Sequence, residues 1–313
     1  MLKKRFFVKY TIFLLTFALL LLTGCKKEKD ITEVNVEKVG SVQNRSAEPK
    51  CLTPVAGGAV TYGDDEMTVD ATNASEGYFY ITYTGDNDDI KIQISSSDSI
   101  TYTYKVFPGE TVILLPFGPG EYNVIAYEGM GNGMYATKFA EKIPVDYVDE
   151  FLPYLYPNYY VNFTTQSASV ALGKQLAEGK TCDIEVIAAV YGYVIDNIAY
   201  DYDRAANVQS DYIPNVDQIL AEKKGICFDY AALMTAMLRS QRIPTRLEVG
   251  YAGDAYHAWI TTYIEDKGWI GGVIEFDGTK WTLMDPTFAA NAAGGDIEEF
   301  IGNGENYTSK YIY

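Results

Sequence analysis

Histidine is almost missing from this chain: His257 is the only one in 313 residues. Cysteine is nearly as scarce, with four, and cations are in short supply, 25 Lys and Arg against 42 Asp and Glu for a net charge of −17. Each shortage excludes something. One imidazole and no closely spaced cysteine pair leave no zinc-type ligand spacing. The acidic run Asp86-Asn87-Asp88-Asp89 lacks the ligand alternation and glycine of a calcium loop and reads as a solvated turn. So few cysteines are no disulfide framework; a bridge between Cys51 and Cys182 is the pairing that would spare Cys227, and free thiols are the expected state. A surface this acidic repels nucleic acid and anionic lipid. The glycine-rich phosphate loop and the nucleophile elbow of serine hydrolases are also missing, and no cofactor or metal is expected.

What is present begins with a leader. Lys3, Lys4, Arg5 and Lys9 form a basic front, Tyr10 to Leu22 an apolar run, and Leu22-Thr23-Gly24-Cys25 closes it. That is a secretory signal in length and flanks, short for a membrane span. The closing tetrapeptide resembles a bacterial lipobox, which implies a signal peptide over 1–25 with Cys25 as the lipid attachment. Loss of the four leader cations takes the net charge from −17 to −21, so membrane attachment has to come from acyl chains, and stable anchoring takes two signals. The expected location is the extracytoplasmic face of the cell membrane.

Residues 26–54 mix Lys, Glu, Asn, Ser and Gln with few large apolar side chains, the composition of a flexible linker. Over 55–146, short alternating runs are punctuated by Gly, Pro, Asn and Asp. Tyr78 to Tyr83, Ile90 to Ile94, Thr111 to Leu115 and Tyr122 to Tyr127 read as strands of an antiparallel β-sandwich. Over 147–313 the period changes. Ile184, Ile187, Ala188, Tyr191, Val194, Ile195 and Ile198 predict a helix over 183–197, capped by Thr181 or Asp183. A second helix is expected from Cys227 to Arg239, apolar nearly all round and therefore central and buried. Strands then follow at Leu247 to Tyr251, His257 to Ile264, Val273 to Phe276 and Lys280 to Met284, the last two joined by an Asp277-Gly278 hairpin turn. The fold class is α+β: a β-sandwich followed by a domain in which a central helix packs on an antiparallel sheet.

The candidate chemistry lies in that second domain. Cys227 follows Lys224-Gly225-Ile226, where a glycine turn delivers the chain into the buried helix. A helix N-terminus favours thiolate over thiol, with help from Lys224 or an imidazolium. His257 opens a strand with Trp259 on its face, 30 positions after Cys227, and Asp285, 28 positions further on, ends a strand with Trp281 and Leu283 on its face. Adjacent pairing of those strands would set Asp285 beside His257 on the helix side. The backbone N–H of Cys227 is the expected oxyanion donor, with Tyr200 or Gln218 as a second. Asp229 is expected to tie down the helix start, and Trp259, Trp269 and Trp281 to pack around the site.

Gly225-Ile226-Cys227-Phe228-Asp229-Tyr230-Ala231, His257-Ala258-Trp259 and Asp285-Pro286-Thr287 resemble the three signature blocks of the transglutaminase-like superfamily. The likeness covers about residues 165 to 290 and leaves the N-terminal domain outside. It implies a papain-like fold and a Cys-His-Asp triad: Cys227 as nucleophile, His257 as base then acid, Asp285 as orienting carboxylate. The implied reaction is acyl transfer from an amide through a thioester, on a protein or peptide substrate at the cell surface. Water as acceptor makes a cysteine peptidase or amidase, the preferred reading; a lysine amine makes a crosslinking transglutaminase. The reading from another class is a non-catalytic surface binding protein with a vestigial triad.

Overall fold

The computed structural model describes residues 45–96, 100–265, 268–271, 273–276, 281–284 and 307–313. It is a mixed structure of helices and antiparallel sheets. The first half is mostly strand, with a 3-10 turn at Ala74–Glu76: β1 (Thr61–Gly63), β2 (Met67–Asp70), β3 (Tyr78–Tyr83), β4 (Ile90–Ser95), β5 (Tyr102–Val106), β6 (Gly109–Leu114), β7 (Gly120–Gly129) and β8 (Tyr135–Val145). They form two four-stranded antiparallel sheets, ordered β1-β2-β3-β6 and β5-β4-β7-β8. Period-two alternation decides which side chains go inside. Ile90, Ile92 and Ile94 are fully buried while Lys91 and Gln93 between them are not. Phe79 and Ile81 of one sheet share an apolar cluster with Ile92, Tyr104 and Val124 of the other. Each such side chain contributes about 1.5–3 kcal/mol of burial.

In the second half come α1 (Ala168–Ala177), α2 (Asp183–Asn197), β9 (Ala199–Tyr200), α3 (Tyr202–Asn207), α4 (Val216–Glu222), β10 (Lys224–Gly225) and α5 (Cys227–Ser240). The remaining strands are β11 (Thr245–Ala252), β12 (Ala255–Ile264), β13 (Gly268–Gly271), β14 (Val273–Phe276), β15 (Trp281–Met284) and β16 (Tyr307–Ile312). Every residue of α5 from Asp229 to Ser240 is buried, the polar Asp229, Thr235, Arg239 and Ser240 among them. Leu233 and Met237 of α5 share a core with Val190 of α2, Leu247 of β11 and Ile260 of β12. The sheet beneath is ordered β13-β12-β11-β16, so the last strand of the chain lies beside β11. Gly250 makes that approach possible: a Cβ there would sit 2.0 Å from the carbonyl oxygen of Thr308.

Three expectations are corrected. The α2 cap is Cys182, with no side-chain cap; instead Glu185 reaches back and accepts from the Thr181 N–H and hydroxyl. The loose linker expected over 26–54 does not hold for its described part. Arg45 pairs with Asp183 and donates to the Gln241 carbonyl at 2.5 Å, Arg242 donates to the carbonyls of Ser46 and Glu48, and the Lys50 N–H donates to Ser240. Its partners sit about 130 to 200 residues away, so local composition could not reveal them. Finally, β15 pairs with β14, and the described neighbours of β12 are β11 and β13; adjacent pairing of the histidine strand with β15 is not found among the described residues. Among the described residues no helix is long and apolar enough to cross a membrane.

Candidate active site

Cys227 is the first residue of α5, half-buried and a free thiol. The turn before it is made by Lys223, which ends α4 in the left-handed region at φ 52°, and not by Gly225. The next two residues form β10, parallel to β9 with Gly225 opposite Tyr200. Gly225 has a different reason to lack a side chain: a Cβ would lie 2.7 Å from that of Asp229. Asp229 is fully buried and accepts three bonds, from the Ile226 N–H (2.9 Å), the Tyr212 hydroxyl (2.7 Å) and Arg204 Nη1 (3.0 Å). It therefore ties down the helix start and clamps the α3 region to it. The first N–H groups of α5 have no helical acceptor and carry the positive end of the helix dipole. The Cys227 N–H is directed at the Tyr200 hydroxyl, and burial, followed by the charge of the Cys227 sulfur, pushes that hydroxyl up to about 12.

His257 is the third residue of β12, opposite Gly250 of β11, and is buried. Trp259, two residues on, shares its face, the rings stacking at 6.5 Å and 22°. Cys227, His257 and Tyr200 all line one cavity of about 600 Å³. Asp285 and Cys25 lie outside the described residues. Lys224 forms an ion pair with Asp201 at 3.0 Å. Gln218 sits on α4, donates to Glu222 at 2.6 Å and does not line the cavity. Trp259 packs edge-on against Tyr307, and Trp269 under the Arg246 guanidinium at 3.7 Å; the Trp281 side chain is outside the described set. Among the described residues no three His, Cys, Asp or Glu side chains converge as metal ligands.

Several cavity residues escaped the sequence reading: Thr101 just before β5 and Thr103 within it, Tyr160, and Tyr311 and Tyr313 around β16. The signal was the abundance of tyrosine, 27 in the chain, which alone does not distinguish a cavity wall from ordinary strand residues. The groups present suit nucleophilic acyl transfer: a thiol at a helix N-terminus, an imidazole in the same cavity, and the backbone N–H of Cys227 beside the Tyr200 hydroxyl.

Residues 170–271 match the model of the transglutaminase-like superfamily. An uncharacterized protein of Mycobacterium leprae is 26% identical over 199 residues, 59% of this chain and 62% of that one. A UPF0252 protein of Methanocaldococcus jannaschii is 31% identical over 105 residues, 30% of this chain and 29% of that one. The chain thus spans less than two thirds of either curated relative. A solved structure described as a candidate cysteine protease, from Cytophaga hutchinsonii, aligns with a TM-score of 0.34 at 14% identity, covering 81% of this chain and 88% of that one.

Proposed function

We propose, from the premise that residues 170–271 are a transglutaminase-like domain, that this protein is a thiol enzyme that transfers acyl groups from amide bonds. The observation that carries the reading is the shared cavity of Cys227 and His257, with the sulfur at the positive end of α5. The Cys227 thiolate attacks the amide carbonyl, and the oxyanion is met by the Cys227 N–H and, once it rotates, the Tyr200 hydroxyl. The imidazolium of His257 protonates the departing amine, leaving a thioester. In the second half His257 takes a proton from the acceptor and returns it to the sulfur, while Asp285 holds the imidazole tautomer.

Water is the preferred acceptor, making the protein a cysteine peptidase or amidase. It acts outside the cytoplasm, held to the membrane by lipid on Cys25, with the two N-terminal sheets forming a β-sandwich ahead of the catalytic domain. The test is incubation with a glutamine-containing protein and a labelled primary amine. New peptide termini or released ammonia without label support hydrolysis; label incorporation without cleavage establishes crosslinking; neither outcome, with wild type identical to Cys227→Ala, removes the enzyme reading. Release of Cys25→Ser protein from membranes tests the anchor.

A further inference from the structure

The cavity around Cys227 is built from both halves of the chain. β5 alternates so that Tyr102 and Tyr104 are buried while Thr101 and Thr103 are exposed and line the cavity. The buried tyrosines hold the opposite wall: Tyr313, itself a lining residue, meets Tyr102 edge-on at 5.6 Å and Tyr104 at 6.3 Å. Beside them Lys105 Nζ pairs with Asp211 at 3.3 Å, joining β5 to the segment whose Gln209, Ser210 and Tyr212 also line the cavity. Through Thr101 and Thr103 the N-terminal half of the chain therefore forms part of the cavity wall.

The wall also has a chemical character. Charged residues make up 21% of the chain, yet none of the described residues lining the cavity is Asp, Glu, Lys or Arg. Near the cavity Lys105 is paired with Asp211 and Arg204 with Asp229, while Lys310 Nζ lies over the ring of Tyr311 at 5.2 Å. What lines it are tyrosine rings, each an apolar face with a hydrogen-bonding tip, and hydroxyl and amide side chains. Away from the Cys227–His257 pair, a charged substrate group entering such a wall loses hydration and meets no Asp, Glu, Lys or Arg among the described lining residues, whereas an uncharged polar or aromatic group finds both surface and partners.

We infer that the cleft takes an uncharged polypeptide segment around the reacting amide, and that Thr101 and Thr103 of the N-terminal sheet contact it. The inference rests on Cys227 being the nucleophile. A peptide is favoured over a glycan because the chemistry at Cys227 needs an acyl group.

The test uses the full chain and three tetrapeptidyl acyloxymethyl ketones of equal length, one uncharged, one with two glutamates and one with two lysines, with iodoacetamide as a reference that needs no cleft. Labelling of Cys227 is followed by mass spectrometry and normalised to iodoacetamide. The uncharged probe reacts about tenfold or more faster than either charged probe, and Thr103→Glu, with Thr101→Glu as a second variant, raises the dilysine rate relative to the diglutamate rate. Equal rates for the three probes, or no change in that ratio in both variants, overturn the inference. Protection of Cys227 by N-acetylglucosamine tetramer but not by an uncharged tetrapeptide amide overturns the choice of peptide. If iodoacetamide does not distinguish Cys227 from Cys51 and Cys182, the nucleophile assignment itself has failed and the inference falls with it.

Discussion

Asp229 offers the sharpest test of how the nucleophile is positioned. Its Oδ2 accepts from the Ile226 N–H and Arg204, and its Oδ1 from the Tyr212 hydroxyl, with no exposure to solvent. In Asp229→Ala the Ile226 N–H loses its partner where water does not reach, and Arg204, its side chain 24% exposed, keeps the carboxylates of Glu222 and Asp201 and the Tyr212 hydroxyl. Removing one partner of a buried ion pair costs about 3–5 kcal/mol, and the exposure of Arg204 places the expected cost near the lower end. Asp229→Asn is milder. The amide oxygen can take the place of Oδ2 and keep the Ile226 and Arg204 bonds, and the Tyr212 hydroxyl can rotate to accept from the amide nitrogen. Only the charge is lost, and about 1–2 kcal/mol is expected from weakening a charge-assisted bond. Urea denaturation at neutral pH measures both. Because α5 begins at Cys227, the alanine variant should also slow alkylation of Cys227 while the asparagine variant stays within a few-fold of wild type. Alanine within about 1 kcal/mol of wild type, or asparagine as costly as alanine, would refute the clamp.

Other consequences can be checked separately. Tyr200→Phe is expected to lower kcat by about 10–10³-fold with KM nearly unchanged, if its hydroxyl serves the oxyanion; steady-state kinetics decide, and a change confined to KM speaks against that role. Burial lowers the Arg45 pKa and raises that of Asp183 despite their mutual attraction, so the pair is a costly one. Arg45→Met with Asp183→Leu should come within about 1 kcal/mol of wild type while either single change costs about 2–4 kcal/mol, read from denaturation midpoints. Burial also pushes the Cys51 thiol up. Its alkylation should therefore set in at a more alkaline pH than the ~8.5 of a free cysteine, as residue-resolved labelling across pH 7 to 10 would show.

Local periodicity carried much of the fold. The helix read over 183–197 is α2, and the one read from Cys227 to Arg239 is α5 with one residue added, because an amphipathic period and an all-round apolar surface are written in consecutive residues. β4 was equally plain. By contrast β8 is exposed on both sides over most of its length, so no alternation marks it, and β1 and β2 are three and four residues long. β16 could not be foreseen as the partner of β11, since nothing local to residues 307–312 names a strand about 60 positions earlier. The same limit governed the site. Cys227 and His257 stood out through scarcity and flanking motifs, whereas the tyrosine wall draws Tyr160, Tyr311 and Tyr313 from distant segments. Lys224 was assigned to the thiol on proximity in sequence; its ammonium found a carboxylate instead.

The central claim is that the Cys227 sulfur is activated by the His257 imidazole, and the most direct measurement is the rate of iodoacetamide alkylation at each cysteine between pH 5.5 and 8.5, in wild type and His257→Ala. The account predicts that in wild type Cys227 reacts about tenfold or more faster than Cys51 and Cys182 below pH 7, and that His257→Ala abolishes this advantage at acid pH. Equal rates at the three thiols, or a Cys227 profile indifferent to loss of the imidazole, would contradict it.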